Sequence, residues 1–284
     1  MEVITSRQNP KVKALLALSD KKGREKQGLF RFDGIKLFDD ALGQCETVCI
    51  ILRHPLSEAV QRRVDSALSS GAVTEKELIY VSEGVFEKLT EESSPEGIIT
   101  VARFLTELHR RSESAEVTAR ELSGKRILLA ESLRDTGNVG TVMRSCAALG
   151  IDTLVMSSDC ADLYNPKTVR SSMGALFRLP TLSVKKEDMP ELVGALRAEG
   201  RRVYAAALRD DACRIGEFTL RDGDCFIIGN EGHGLSEELI EACDSAAIIP
   251  MREGNESLNA AAAATICIWE TVRASRNDTS SEKV

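Results

Sequence analysis

Three short stretches hold the residues whose types and spacing could do chemistry. In "ESLRDTGNVGTVMRSCAALG", residues 131–150, Arg144 lies two turns into a helix that follows a Gly-Asn loop. Helical side chains lean toward the N-terminus, so its guanidinium is expected to reach back over Gly140 and Thr141 toward Asn138. A cation beside free main-chain N–H groups at the positive end of a helix makes a phosphate site. The same spacing also describes a helix capped by Asn138 that carries a surface arginine, with Val139, Val142, Cys146 and Leu149 on its buried face.

The second stretch, "IIGNEGHGLSEEL" at residues 227–239, puts glycines 229, 232 and 234 after an apolar strand. Their order, GxxGxG, reverses the dinucleotide fingerprint, and no GK[ST] follows for a P-loop. Asn230 and Glu231 close the strand, which is where open parallel sheets bind ligands. A carboxylate there repels pyrophosphate and attracts a cation. A plain strand-to-helix turn accounts for the glycines but not for Glu231. The third stretch, "IIPMREGNESLNAAAAATICIWE" at 248–270, ends a strand at Pro250 and starts a helix that Ser257 can cap. Ser257 and Asn259 are uncharged groups able to orient a hydroxyl. Leu258, Ala262, Ile266 and Trp269 share one face of that helix, and its five alanines allow close approach of another backbone.

These stretches sit in a second region of alternating apolar strands and helices. Strands are expected in "RILLAES", "DTLVMSS", "RVYAAAL", "CFIIGN" and "AAIIPM", and helices over 138–149, 166–174, 187–199, 235–243 and 257–273. Such alternation indicates a parallel sheet covered on both faces. Before it, residues 1–105 form a smaller α/β domain. It opens with one amphipathic helix in "NPKVKALLALSDKKGRE", and its strand-like alternation lies in "LFRFDGIKLFDDAL", "ETVCIILR" and "ELIYVSEGVFEKL". The polar stretch 106–124 reads as a linker, 125–275 as the second domain and 276–284 as a disordered tail.

Composition narrows the class. The chain has 284 residues, 43% apolar and 29% charged, with a formal charge of −7. No apolar run nears the roughly eighteen residues that span a bilayer. The N-terminus has no signal-peptide pattern, so a cytoplasmic protein without a membrane partner is expected. Eight cysteines lack CxxC or zinc spacing and read as reduced core residues, with no metal. Residues 1–36 nevertheless carry nine Lys or Arg (Arg7, Lys11, Lys13, Lys21, Lys22, Arg24, Lys26, Arg31, Lys36) against four acids, a candidate nucleic-acid surface.

Taken together, the three stretches resemble the SpoU (TrmH-like) RNA 2′-O-ribose methyltransferases of the SPOUT superfamily. The likeness rests on "GNVGTVMRSCAALG", "IIGNEGHGLSEEL" and "IIPMREGNESLNAAAAA", with "LYNPKTVRSSMGALFRLP" between them. "ITSRQNPKVKALLAL", "GLFRFDGIKLFDDAL" and "SSPEGIITVARF" are similar to the family's N-terminal substrate-binding domain. Two departures leave the subfamily open: Asp33 where relatives commonly have Glu, and "DTGN" in place of a proline-containing version.

The resemblance implies an α/β fold with a deep C-terminal trefoil knot, a homodimer with the catalytic pocket at its interface, and S-adenosylmethionine as methyl donor. By resemblance, the donor site is built from Gly229, Ile249 and Leu258 with their neighbours Asn230 and Met251. Arg144, Asn138, Glu231, Ser257 and Asn259 match positions assigned to catalysis or its support. The implied reaction is attack of a ribose 2′-oxygen on the donor's methyl group. The family proposal makes Arg144 the base; a clamp on the neighbouring phosphate is the alternative, because arginine stays charged below a pH of about 12. The N-terminal domain type favours ribosomal over transfer RNA. An inactive RNA-binding protein of the same fold is a rival expectation, and a nicotinamide-dependent oxidoreductase is disfavoured by the glycine order.

Overall fold

The computed structural model describes residues 2–252 and 257–281, with the main chain alone over 275–281. The chain divides into two compact units. One comprises residues up to Leu105 together with Asp162–Phe177; the other comprises Thr106–Ala161 and the chain from Arg178 onward.

The first unit is built on five strands, β1 (Val3–Ile4), β2 (Leu29–Asp33), β3 (Thr47–His54), β4 (Leu78–Ser82) and β5 (Ile98–Arg103), in the order β1-β4-β3-β5-β2. β5 is antiparallel to both neighbours and the other pairs are parallel. Its helices are α1 (Pro10–Leu16), α2 (Lys21–Gln27), α3 (Ile35–Ala41), α4 (Glu58–Ser69) and α5 (Glu83–Leu89). Two stretches with apparent alternation are thus strand followed by helix, because Gly34 and Ser82 start helices α3 and α5. The opening amphipathic stretch is likewise two helices, broken where Asp20 adopts an extended conformation. Gly23 is required at their crossing, since a Cβ there would collide with the Ala17 carbonyl.

The basic head is less basic at its surface than the sequence suggests. Arg24 and Arg31 are each only 2% exposed. Arg24 donates to the Leu18 and Ser19 carbonyls and pairs with Asp162, and Arg31 pairs with Ser19 and Glu91. The other seven cations face solvent. The excursion 162–177 completes this unit's core and carries helix α8 (Pro166–Ser171). Tyr164 stacks on Phe104 at 4.2 Å and its hydroxyl accepts the Leu105 N–H at 2.8 Å, while Phe177 packs against Phe32 at 5.2 Å.

The second unit is an eight-stranded sheet, every paired neighbour parallel, in the order β11-β13-β10-β12-β7-β8-β9-β6. Its strands are β6 (His109–Arg111), β7 (Ile127–Ala130), β8 (Thr153–Ser157), β9 (Thr181–Val184), β10 (Val203–Ala206), β11 (Cys213–Arg214), β12 (Cys225–Ile228) and β13 (Ser245–Ile248). Helices α6 (Ala115–Glu121), α7 (Thr136–Leu149), α9 (Met189–Ala198), α10 (Glu237–Ala242) and α11 (Ala260–Ser281) complete it.

Three expected bounds are corrected. The second domain is not continuous over 125–275, because residues 162–177 belong to the first unit. Residues 106–124 are not a linker: β6 pairs with β9, and α6 buries Ala115 and Ala119, with Leu122 just beyond its end, in the core. Small residues do the packing, so no large-apolar periodicity announces the helix. At the other end, the expected tail continues α11 as helix to Ser281, since neither Gly nor Pro interrupts residues 260–281; residues 282–284 lie outside the described residues. The eight cysteines are all free thiols, and burial pushes those of Cys225, Cys243 and Cys267 up to about 12.

Candidate functional site

The site gathers at the C-terminal ends of β7, β10, β12 and β13, where the sheet hands its chain to loops. After β12, the chain makes a closed turn in which Asn230 and Gly234 exchange main-chain hydrogen bonds of 2.9 and 3.0 Å. The Asn230 Oδ1 accepts the Gly232 and His233 N–H groups at 2.9 and 3.1 Å, so the side chain fills the turn. Gly229 cannot be replaced without cost, because a Cβ there would overlap the Gly234 and Leu235 backbone. The turn is therefore closed by its own hydrogen bonds and presents one face beyond them.

That face is one wall of a cavity of about 560 Å³. The cavity is lined by Gly229, Asn230, Ile249, Met251 and Leu258, all five of the residues expected at a methyl-donor site, and also by Glu231 and Ser257. Ala206, Ala207, Ile228 and Ile240 add an apolar floor and small-residue clearance. Arg209 and Glu237 form an ion pair at residues that also line it. The volume lies within the range of about 300–1,000 Å³ usual for small-molecule pockets. Main-chain polar groups, aliphatic side chains and the Glu231 carboxylate suit a ligand with a flat hydrogen-bonding base and a positive charge, as S-adenosylmethionine has.

Beside the cavity, three side chains from three elements form a hydrogen-bonded series. Asn138 Nδ2 donates to Glu231 Oε1 at 2.9 Å, and Asn259 Nδ2 donates to Asn138 Oδ1 at 3.0 Å. Asn259 Oδ1 in turn accepts the Ala261 N–H at 3.0 Å. Each amide thus has its orientation set by its neighbour. Glu231 also accepts the Asp135 and Arg134 N–H groups at 3.2 and 3.4 Å. Partial burial raises the Glu231 carboxyl, but these bonds outweigh it and hold the group below the usual glutamate value. It is an anion that fixes other groups in place.

Both expected helix caps are corrected. Helix α7 begins at Thr136, so Asp135 is its cap and accepts the Asn138 N–H at 2.8 Å. This frees the Asn138 side chain to join Glu231 and Asn259. Helix α11 is capped by Asn259, and Ser257 lies before it at the cavity; residues 253–256 of that loop lie outside the described residues. Arg144 is exposed, and its side chain has no hydrogen bond or ion pair to another described residue. Six residues along a helix turn it about 120° away from Asn138, so it does not fold back onto that side chain.

Several residues of the site have no motif of their own. Glu131, at the end of β7 and 2% exposed, accepts the Ser236 N–H and hydroxyl at 2.7 Å each and so anchors the start of α10. Its one signal is a carboxylate closing an apolar strand. Ser132 follows it in the chain, and Lys186 lies 4.0 Å from Glu131 and 3.7 Å from Asp159.

The sequence matches the SpoU rRNA Methylase family over residues 125–269 and the MRM3-like substrate binding domain over 9–100. The 23S rRNA (guanosine(2553)-2′-O)-methyltransferase RlmP of Bacillus subtilis (strain 168) is 33% identical over 269 residues, 95% of this chain and 98% of its own. The 23S rRNA (uridine(2479)-2′-O)-methyltransferase of Streptomyces viridochromogenes is 39% identical over 139 residues, 48% of each chain. Among solved structures, the AdoMet-bound rRNA methyltransferase from Sinorhizobium meliloti superposes with a TM-score of 0.77 at 26% identity, covering 96% of this chain and 97% of its own.

Proposed function

The chain belongs to the SpoU rRNA methylase family, and we propose that it is an S-adenosylmethionine-dependent RNA 2′-O-ribose methyltransferase acting on ribosomal RNA. The observation that carries this reading is the single cavity lined by Gly229, Asn230, Ile249, Met251 and Leu258, with Glu231 shared between it and the Asn138–Asn259 pair. The donor, when bound, supplies an electrophilic methyl group on a sulfonium.

The residues of this chain then hold the acceptor. Asn138, Ser257 and Asn259 offer uncharged hydrogen-bonding groups at one edge of the cavity, suited to a ribose hydroxyl. Arg144, exposed and without an ion pair among the described residues, clamps the neighbouring phosphate and stabilises negative charge developing on the 2′-oxygen. A guanidinium that stays protonated is better used so than as a base. Glu231 holds Asn138 in one orientation. The seven exposed cations of residues 1–36 give the first unit a phosphate-contacting surface whose RNA affinity falls with salt.

Two further features belong to the same reading. The C-terminal segment is threaded as a trefoil knot, which holding the chain ends in an optical trap tests through a residual shortening of the unfolded contour. Two chains pair as a homodimer along α7 and α11, supported by the exposed Ala262 and Trp269 on one side of α11 and the exposed Leu258 just before it. Sedimentation velocity tests this, and a monomer at micromolar concentration overturns it. Among the described residues no helix is long and apolar enough to cross a membrane, and the proposed location is the cytoplasm.

The deciding experiment maps 2′-O-methyl positions in ribosomal and transfer RNA from cells with and without the protein. A methyl lost from one 23S nucleotide is expected. RNA unchanged at every ribose overturns the reading, and a change confined to transfer RNA overturns the choice of ribosomal RNA.

A further inference from the structure

Asp159, outside every motif and outside the cavity, is tied to the site by a chain of hydrogen bonds. Its Oδ2 accepts the Ser132 hydroxyl and its Oδ1 the Ser157 hydroxyl, both at 2.7 Å. The Ser157 oxygen accepts the Ser132 N–H, also at 2.7 Å. Ser132 and Ser157 are buried, at 5% and 2% exposure. Arg134 and Lys186 reach the same carboxylate from solvent, at 3.1 and 3.7 Å. Partial burial raises the Asp159 carboxyl, and the serine and arginine hydrogen bonds with nearby Lys186 bring it down to about 2, so it is charged throughout the working range.

What this carboxylate holds is a strained residue. Ser132 has φ of 53°, a left-handed conformation disfavoured for any side chain and rare for serine. The turn made there decides where the next groups point. The Ser132 carbonyl accepts Asn230 Nδ2 at 2.8 Å, locking the turn that walls the cavity. Two and three residues on, the Arg134 and Asp135 N–H groups reach Glu231. If Ser132 relaxed to negative φ, the carbonyl and both N–H groups would swing away, and Glu231 and Asn138 would lose their alignment.

We propose that Asp159 is a positioning residue for methyl transfer: it keeps Ser132 left-handed, and through that turn sets Glu231 and Asn138. The proposal rests on the functional reading above for its rate test, but not for its structural one. The suppressor that separates it from general stability is glycine at position 132, because glycine adopts positive φ without help from any neighbour.

The experiment measures single-turnover methyl transfer to a 23S RNA fragment for D159A in the wild-type and S132G backgrounds, well below the melting temperature of each protein. D159A alone is expected to slow transfer by roughly tenfold, equivalent to about 1.4 kcal/mol. In the S132G background the same substitution is expected to cost less than about threefold. Val193→Ala, a core change in the same unit, lowers the melting temperature without the rate loss. Equal losses from D159A in both backgrounds, or a matching rate loss in V193A, overturn the proposal.

Amide NMR provides the readout that does not depend on activity. The Arg134 and Asp135 N–H resonances, shifted downfield by Glu231, should move upfield in D159A and return in the S132G/D159A double variant. Resonances that stay fixed in D159A overturn the proposal whether or not the protein methylates RNA. Wild-type protein that transfers no methyl group, with resonances behaving as expected, overturns the functional reading and leaves the positioning role standing.

Discussion

Glu231 gathers hydrogen bonds from three donors between the end of β7 and the first turn of α7, and all of them need an acceptor. Glutamine presents an acceptor on one side only, so Glu231→Gln turns an NH₂ toward a donor whichever way it sits. Single-turnover transfer should fall by about ten- to a hundred-fold, the loss of one or two charge-assisted bonds, with little change in melting temperature at this exposed position. A lowered folded-state pKa means that this group's contribution is complete above its unfolded value of 4.5 and is lost as pH falls through the folded one. Acidifying from 7 to about 5 should leave it ionised; a rate loss over that span shared equally by E231Q would assign the titration elsewhere. Asp33 has the opposite sign. Burial first of all, opposed by a hydrogen bond from Thr90 and by Arg31, raises it from 3.8 to about 6. Between those values the folded state keeps a proton that the unfolded chain has released, so stability declines as pH rises from about 4 to about 6 and stays lowered above. Asp33→Asn removes that cost and should stabilise the protein at pH 7 by up to on the order of 2–3 kcal/mol, with a flatter urea midpoint profile across pH 4–6. An unchanged profile would mean that Asp33 is not the group concerned.

At the scale of elements, the loop from β12 to α10 shows how far a sequence can be read. Its glycines signalled a tight turn and Glu231 signalled a cation, because those follow from residue type and place at a strand end. Two facts were not legible: that Gly229 faces the Gly234 backbone, and that Glu231 meets Asn138 across 93 residues. Neither leaves a periodic trace, and Glu131 and Asp159 stayed hidden for the same reason. The parallel sheet was legible because apolar runs alternate with helices. Strand β6 was not, since "HRR" is polar and its edge position requires no apolar face. Helix caps were misread by two or three residues at α7 and α11, where Asp135 and Asn259 compete with equally good capping types nearby. Gly229→Ala checks the element directly. The added methyl has backbone on its far side, which cannot rotate away, so the turn must open. Donor affinity measured by calorimetry should fall at least tenfold and the melting temperature should drop. Unaltered affinity would mean that this turn is not a wall of the donor site.

At the scale of the whole chain, the two units are not sequential beads. The polypeptide passes between them three times, after Leu105, after Ala161 and after Phe177. The family likeness of "LYNPKTVRSSMGALFRLP" gave no hint that most of it belongs to the first unit. Its buried residues are mostly apolar in type, and type alone does not say which core they join. Val169, Ala175, Leu176 and Phe177 are at most 2% exposed there, and Phe30 packs on Tyr164 at 4.8 Å. A chain cut to residues 106–284 keeps every strand of the eight-stranded sheet and every cavity residue, yet loses the partners of this excursion. It would then display a contiguous apolar stretch of a size that soluble monomers rarely expose. The fragment should therefore bind a hydrophobic dye such as ANS and self-associate in sedimentation, while Tyr164→Ser with Phe177→Ser within the fragment should suppress both. The same pair of substitutions in the full chain removes two aromatic anchors from a packed core and should destabilise it by about 3 kcal/mol or more. A 106–284 fragment that is monodisperse and binds no dye would mean that the excursion folds without its cover, and that the first unit is a separable attachment.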